Sequence, residues 1–259
     1  MPLAHHLSWT LGPAIDGRHA RGFVYELLRS VDETIHDQNS PGGFSVCVQP
    51  GGLRINTLMA ALDEDVGAAC QRLVGETIRL GTHRLEVLGV RAEGHPITLA
   101  TSYAKFLQAD PHVDCTLRFA SPTFFRRAGA NYSLPEPELV FGSIIARWNA
   151  YAPVKVPERA ELELKGATVR HFDIQTKPIT FETHAVGVVG TVTYHFAGAS
   201  EETLRWSQAL GQFAYFSGVG AKTSMGLGEI RPVDPAEFKD APRRTPRRTG
   251  HVRSAQPGR

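Results

Sequence analysis

The chain has 259 residues, 42% of them hydrophobic and 21% charged, with a formal net charge of +2. These fractions are those of a soluble globular protein, and the length fits one large domain or two of ordinary size. No apolar run approaches the roughly 20 residues that span a bilayer, and the first residues lack the pattern of a signal peptide, so no membrane contact is expected and the cytoplasm is the expected compartment.

Hydrophobic periodicity in the first half predicts the element order β-α-β-β-α-β. The predicted elements are a strand at residues 5–11, a helix at 20–32, strands at 43–49 and 53–59 joined by a Pro-Gly-Gly turn, a helix at 63–75 and a strand at 83–93. The first helix carries a continuous apolar face, as expected for a helix that packs on a sheet.

The second half repeats this order. The predicted elements are a strand at residues 114–123, a helix at 139–151, strands at 168–176 and 185–196, a helix at 201–216 with Ser200 as its N-cap, and a closing strand within 226–233. Two such units in tandem predict an α+β protein with two ferredoxin-like domains, at residues 1–112 and 113–238.

Charge is distributed unevenly along the chain, and residues 239–259 are expected to form a basic, disordered tail. Residues 241–259 hold six of the 28 Lys and Arg and no acid, so the other 240 residues hold 22 basic against 26 acidic residues, a formal balance of −4. A solubilising end is favoured over a dedicated nucleic-acid arm. Any nucleic acid bound by the folded body would be held by local basic patches.

Cysteine and histidine spacing predicts no disulfide, metal site or cofactor. Cys47, Cys70 and Cys115 lie far apart, which favours reduced, buried thiols. The eleven histidines show no metal-ligand spacing.

The stretch FSGVGAKTSMGLG, residues 216–228, concentrates glycines around one Lys-Thr pair. A nucleotide-binding phosphate loop follows a strand and leads into a helix, whereas this loop follows a helix, and Ala221 stands where that motif has glycine. Glycines also let backbone amides approach a phosphate. We therefore favour a grip on a sugar-phosphate backbone over a purely structural turn, using the residues Gly218, Gly220, Lys222, Thr223, Gly226 and Gly228.

Three segments carry a resemblance to a known family. YFSGVGAKTSMGLGEI, LRFASPTFFRRAGANYSLPEPELVFGSIIARWNAYAP and KPITFETHAVGVVGTVTYHF resemble the C-terminal signature, the central segment and the last hairpin of the CRISPR-associated endoribonucleases that cut precursor CRISPR RNA within its repeats, in the RAMP superfamily. The resemblance covers most of residues 113–232. It implies tandem ferredoxin-like domains and CRISPR repeat RNA as the partner.

The resemblance also implies catalytic residues in the first half, where the match is looser. Members carry a histidine just after the first helix, a place that His36 occupies in ETIHDQNSPGGFSV. Tyr25 in the first helix and His19 near its start match groups that assist in some members. The alternatives are a helix C-cap for His36, a surface position for His19 and a packing role for Tyr25.

The sequence departs from the family in the positively charged residues that would lie near the catalytic histidine. No lysine occurs before Lys105, so the lysine that some members place soon after the histidine is absent. Arg18, Arg21 and Arg54 are candidates to replace it, and the sequence does not rank them. Arg126 and Arg127 either clamp phosphates or only solvate a loop.

The implied chemistry is metal-independent cleavage by general acid–base attack of the 2′-hydroxyl, because imidazole exchanges protons near neutral pH. It leaves 5′-hydroxyl and 2′,3′-cyclic phosphate ends, as in crRNA maturation for antiviral defence. The first alternative is a non-catalytic RNA-binding subunit of a CRISPR effector complex, and a second is a nucleotide-hydrolysing enzyme that uses Lys222 and Thr223. Effector subunits and a second copy of the chain, as a homodimer, are further candidate partners.

Overall fold

The computed structural model of the protein describes residues 1–10, 15–29, 43–179 and 185–233. His36 and the basic tail at 239–259 lie outside the described residues. Among the described residues, no helix is both long enough and apolar enough to cross a lipid bilayer.

The N-terminal module is an antiparallel sheet with two helices on one face. Its elements are β1 (Leu3–Trp9), α1 (Gly17–Arg29), β2 (Phe44–Gln49), β3 (Gly52–Thr57), α2 (Ala60–Gln71), β4 (Thr77–Leu80) and β5 (His83–Glu93). The strands lie in the order β2-β3-β1-β5-β4. Side chains from α1 and α2, such as Val24, Leu28 and Val66, form one core with Leu7 and Ile55 of the sheet.

The C-terminal module has the same plan. Its elements are β6 (Asp114–Thr123), a small hairpin of β7 (Phe125–Arg127) and β8 (Ala130–Tyr132), α4 (Pro137–Tyr151), α5 (Glu158–Lys165), β9 (Thr168–Pro178), β10 (Val186–His195), α6 (Glu201–Ser217) and β11 (Ile230–Arg231), with the short helix α3 (Tyr103–Phe106) before β6. The main sheet is antiparallel in the order β11-β6-β10-β9.

Both modules therefore contain a β-α-β-β-α-β unit, whose four strands are β1, β2, β3 and β5 in the first module and β6, β9, β10 and β11 in the second. In each unit the first strand lies between the third and the fourth, which is the arrangement of a ferredoxin-like fold. The α+β prediction with tandem ferredoxin-like domains is confirmed. The predicted limits of β6 match those observed, and Ser200 is the N-cap of α6, since its hydroxyl accepts a hydrogen bond from the Thr203 amide at 3.2 Å.

Aromatic packing in the C-terminal module begins before residue 113. The rings of Tyr103 and Phe106 in α3 lie 5.0 and 6.2 Å from Trp148 of α4, with T-shaped geometry, and both also contact Phe213 of α6. Edge-to-face pairs of this kind add to the energy of burial. The segment that links the modules is thus part of the second core, and the boundary at 112/113 stays a prediction.

A buried polar network joins the two modules. The open face of the N-terminal sheet presents Ser45, which donates to the Phe216 carbonyl at 2.6 Å, and Asn56, which donates to Ser45 at 2.8 Å. Beside them, the Arg54 guanidinium lies 3.5 Å from the Glu229 carboxylate, and the two side chains are 3% and 4% exposed. These contacts fix the end of α6, and the loop that follows it, against β2 and β3.

All three cysteines are buried and free, as the sequence predicts.

Candidate RNA-binding and catalytic site

Helix α1 presents Arg21 and Tyr25 on one face, because residues four apart are neighbours on a helix. The Arg21 guanidinium lies 4.9 Å from the centroid of the Tyr25 ring, and its Nη2 donates to the Tyr25 hydroxyl at 3.4 Å. The Tyr25 ring also meets Phe44 at the start of β2, edge to face, at 5.3 Å. The phenol therefore contacts both an aromatic ring and a cation.

The glycine loop, residues 218–228, follows α6 and contains a 3₁₀ turn at Thr223–Met225. Gly218, Gly220, Gly226 and Gly228 all have positive φ. At Gly228 a Cβ would lie 2.0 Å from the Val219 carbonyl oxygen, so the loop closes on itself at a separation that only glycine permits.

Several backbone amides of the glycine loop donate hydrogen bonds to other groups of the protein. Gly218 donates to the Ala214 carbonyl at 2.9 Å, Gly220 to the Ser143 hydroxyl at 2.8 Å, and Gly228 to the Pro122 carbonyl at 3.2 Å. The structure therefore does not support a phosphate grip by the amides of Gly218, Gly220 and Gly228; these glycines shape the loop. An RNA-binding role for Gly226 stays a prediction.

Thr223 belongs to the interior of the loop. It is only 3% exposed, and its methyl group faces the Cα atoms of Gly218 and Gly228. Because the Thr223 side chain is buried, its predicted contact with a phosphate is not supported.

Lys222 is the cation that the loop presents. It has a left-handed conformation, with φ of 59°, and is partly exposed. Burial, and then the nearby guanidiniums of Arg126 on β7 and Arg21 on α1, lower the pKa of Lys222 from its usual value. Arg21 and Arg126, from two distant segments, thus each lie within electrostatic range of Lys222. We call Arg21, Arg126 and Lys222 the cation cluster.

A shallow cavity of about 410 Å³ adjoins the cation cluster. Arg126, Ser143, Lys165 and Gly220 are among the residues that line it. The cavity has the volume of a small-molecule site, and Arg126 belongs to both features.

Arg147 of α4 holds the end of α6 in place. Its guanidinium donates to the Ser217 carbonyl, and it lies 3.5 Å from the Gly220 carbonyl. A cation at a helix C-terminus binds the last carbonyls and opposes the helix dipole favourably. Arg147 and Ser143 were not predicted as partners of the glycine loop, because neither lies near it in the sequence.

Arg127 and His19 contact residues that do not belong to the cation cluster. The Arg127 guanidinium binds the Glu136 carboxylate at 2.7 Å and covers the Tyr132 ring at 5.1 Å. The exposed His19 packs its ring directly against Gly81 between β4 and β5. The structure does not bring His19 together with Tyr25, and catalysis by His19 and phosphate binding by Arg127 stay predictions.

Arg21 is the one that the structure favours among the three arginines named as candidates to replace the lysine. Arg18 makes a two-pronged contact with Asp16, with Nη2 at 2.7 Å, and Arg54 is buried against Glu229. Arg21 instead lies beside Tyr25 and within range of Lys222. Within the described part of the chain, no three His, Cys, Asp or Glu side chains converge as a metal-binding group.

Two ferredoxin-like modules in tandem, with a glycine loop where they meet, are what the resemblance to the CRISPR-associated endoribonucleases implies. The family model described as CRISPR-associated endoribonuclease Cas6 matches residues 117–230. A Cas6 (TTHA0078) product complex is 38% identical in sequence, with a TM-score of 0.81, over 90% of this chain and 100% of that one.

The chain belongs to the Cas6 family. A second structure, a Cas6 (TTHA0078) substrate mimic complex, is 39% identical with a TM-score of 0.79, over 89% of this chain and 99% of that one. The CRISPR-associated endoribonuclease Cas6 of Mycobacterium tuberculosis (strain CDC 1551 / Oshkosh) is 28% identical over 169 residues, 63% of this chain and 52% of the relative. The match thus spans about half the length of that curated relative.

Proposed function

We propose that the chain is an endoribonuclease that cleaves CRISPR repeat RNA without a metal ion, and so matures crRNA for antiviral defence. The observation that carries the proposal is the cation cluster beside Tyr25, in a chain of the Cas6 family. Like charges gathered in this way repel one another, and a bound polyanion relieves the repulsion.

The proposed reaction breaks the P–O5′ bond and forms a bond between the 2′-oxygen and phosphorus. His36 takes the proton from the 2′-hydroxyl or delivers one to the departing 5′-oxygen, and the Tyr25 hydroxyl is the second proton-exchanging group. Arg21 and Lys222 stabilise the negative charge that grows on the phosphate oxygens. The products are a 5′-hydroxyl and a 2′,3′-cyclic phosphate.

The assignment of His36 is supported by where its segment is anchored. Residues 30–42 follow the last residue of α1, Arg29, one helical turn beyond Tyr25. The segment rejoins the described chain just before Phe44, whose ring contacts Tyr25. Both anchors of the segment that carries His36 therefore lie close to the phenol that would share its chemistry.

The rest of the proposal concerns the RNA and the partners. RNA is bound through its backbone and unstacked bases, since the major groove of an A-form helix is too narrow for side chains. Arg126 and Lys222 contact phosphates on the side of the C-terminal module, and the cavity beside Arg126 admits a nucleotide. A cytoplasmic location and contact with effector-complex subunits belong to this proposal as well.

A cleavage assay in EDTA tests the proposal. The wild type, His36→Ala and the matched control His83→Ala are incubated with the host's own repeat RNA, and the product ends are identified by mass spectrometry. We expect one cut within the repeat for the wild type and His83→Ala, with a 2′,3′-cyclic phosphate, and none for His36→Ala. Specific binding by the wild type without cleavage would instead support a non-catalytic RNA-binding subunit.

A further inference from the structure

One face of α4 carries two side chains that bind the same residue of the glycine loop. Ser143 and Arg147 lie four residues apart, so they are neighbours on the helix. The Ser143 hydroxyl accepts a hydrogen bond from the Gly220 amide at 2.8 Å, and the Arg147 guanidinium lies 3.5 Å from the Gly220 carbonyl. The backbone on both sides of Gly220 is therefore held by α4, just before the chain reaches Lys222.

The end of α6 presents carbonyl groups that attract positive charge. Neutral side chains of β2 and β3 donate to the Tyr215 and Phe216 carbonyls, at 3.4 and 2.6 Å, whereas the cationic Arg147 donates to the Ser217 carbonyl. The C-terminus of a helix carries a partial charge equivalent to about −0.5. Arg147 supplies a full positive charge that offsets it.

Lys222 is close enough in the sequence to compete for these carbonyls. It follows shortly after Ser217, and a lysine near a helix C-terminus can bind the last carbonyls itself. The Lys222 side chain instead lies within electrostatic range of the other two members of the cation cluster. Because Arg147 binds the Ser217 and Gly220 carbonyls, they are poor acceptors for the Lys222 ammonium.

Arg147 suits this task through its charge and its shape. Burial lowers the pKa of Arg147 to about 10, and the nearby Tyr151 phenol opposes this shift. A group with that pKa is still protonated at neutral pH, so the guanidinium binds the carbonyls as a cation. Its planar set of N–H groups reaches two carbonyls at once, which a lysine ammonium in its place would not do as well.

We propose that Arg147 is a positioning residue for RNA binding, and that it acts by keeping Lys222 away from the carbonyls of Ser217 and Gly220 and directed at the RNA backbone. The proposal rests on the proposed function, because it takes the cation cluster as the surface that contacts phosphates. Arg147 makes no contact with the RNA in this account, and its whole effect passes through Lys222.

The titration of Lys222 tests the proposal without RNA. The full chain is labelled with ¹³C at the lysine Cε atoms and followed by NMR against pH, with Lys222→Arg to assign the signal. Lys222 of the wild type should titrate below the ordinary lysine pKa of about 10.4. In Arg147→Met it should titrate at or above that value, because the ammonium then binds the carbonyls that Arg147 has left.

Lys155→Met is the matched control. Lys155 is also a cation that binds backbone carbonyls at a helix end, those of Asn149 and Ala152 at the end of α4. Its removal should leave the Lys222 titration as it is in the wild type. A similar change in both variants would assign the effect to general loosening of α4 and overturn the proposal.

Salt titrations of repeat RNA affinity test whether Arg147 acts through Lys222. Lys222→Ala should lower the slope of log affinity against log salt by about 0.7, as the loss of one phosphate contact on a single strand does. Arg147→Met should lower it by the same amount, and the double variant by no more than either single change. A drop of about 1.4 in the double variant would make Arg147 a phosphate ligand of its own and overturn the proposal.

Far-UV circular dichroism checks that each variant is folded. If Arg147→Met does not fold, Arg147→Lys takes its place, and it should change the Lys222 pKa and the salt slope in the same directions by smaller amounts. A Lys222 signal that titrates alike in the wild type and in the folded Arg147 variant overturns the proposal. A wild type that binds no repeat RNA would refute the proposed function instead, and the NMR titration would still decide the role of Arg147.

Discussion

Glu229→Gln should lower the free energy of unfolding by about 3–5 kcal/mol, because it removes the counter-ion of a buried guanidinium. Arg54 is 3% exposed and lies 3.5 Å from Glu229, which is 4% exposed. The groups that would remain around the guanidinium are the Cys47 sulfur at 2.9 Å and the Tyr215 ring at 4.0 Å, neither of which carries a full negative charge.

Coulomb's law supplies the scale of this loss. At an N–O distance of 3.5 Å and an effective dielectric constant of about 20, the attraction is about 5 kcal/mol before desolvation is counted. The reverse change, Arg54→Met, should cost less, about 1–3 kcal/mol, because Glu229 keeps the Arg231 guanidinium at 3.1 Å and the solvent that reaches Arg231. The two single changes are thus expected to be unequal.

Equilibrium urea unfolding, followed by circular dichroism, measures both changes and their combination. The matched control is Glu201→Gln, which disrupts an exposed pair with Arg205 and should alter stability by less than about 0.5 kcal/mol. The double variant of Arg54 and Glu229 should be more stable than Glu229→Gln alone. If Glu229→Gln proves no worse than Glu201→Gln, or milder than Arg54→Met, the buried pair does not hold the modules together as argued.

Three further predictions concern binding, pH and the glycine loop. Arg21→Ala should reduce the slope of log affinity for repeat RNA against log salt by about 0.7, as one lost phosphate contact on a single strand does, while Arg18→Ala leaves it unchanged in salt titrations. Burial, and then the positive charge of Arg54, lower the pKa of His95 to about 4. The free energy of unfolding should therefore be highest above pH 6.5 and should fall by up to about 3 kcal/mol as the pH drops to 4, because His95 takes up its proton in the unfolded chain first. His95→Asn, which keeps an acceptor near Nδ1, should flatten that loss in urea titrations, and equal pH slopes would contradict this origin. Gly228→Ala should lower the melting temperature clearly more than Gly198→Ala, since both have positive φ but no atom lies within 4 Å of a Cβ at Gly198; equal losses would show that φ alone decides.

Most of the fold could be predicted because each main element has a clear period. Alternation along β6 and β10 and the apolar face of α6 follow from the sequence, and the cap at Ser200 fixes where α6 begins. Helix α5 was not predicted, although Pro157 and Gly166 bracket it and two glutamates lie in its first turn. Strands β4, β7 and β8 were not predicted either, because they are only three or four residues long and give too few positions for a period to show.

The candidate site was predictable only in part, because its charges meet through the tertiary fold. Glycine content marked the loop, but composition alone could not show that the amides of Gly220 and Gly228 bind inside the protein. No local pattern joins Arg21 to Arg126 and Lys222, which lie far apart in the sequence. No local pattern shows that Ser45 of β2 and Asn56 of β3 would bind the backbone at the end of α6.

The internally bonded glycine loop has a consequence for how this protein could acquire a new target. Because its backbone amides donate hydrogen bonds to neighbouring carbonyls and to the Ser143 hydroxyl, the loop has a fixed backbone conformation and does not adapt its shape to a ligand. A change of preference would then arise from exchanging outward side chains, such as those of Lys222 and Ser224, while the glycines beneath them stay as they are. Laboratory selection for altered repeats should therefore enrich substitutions at the former positions and few at the latter.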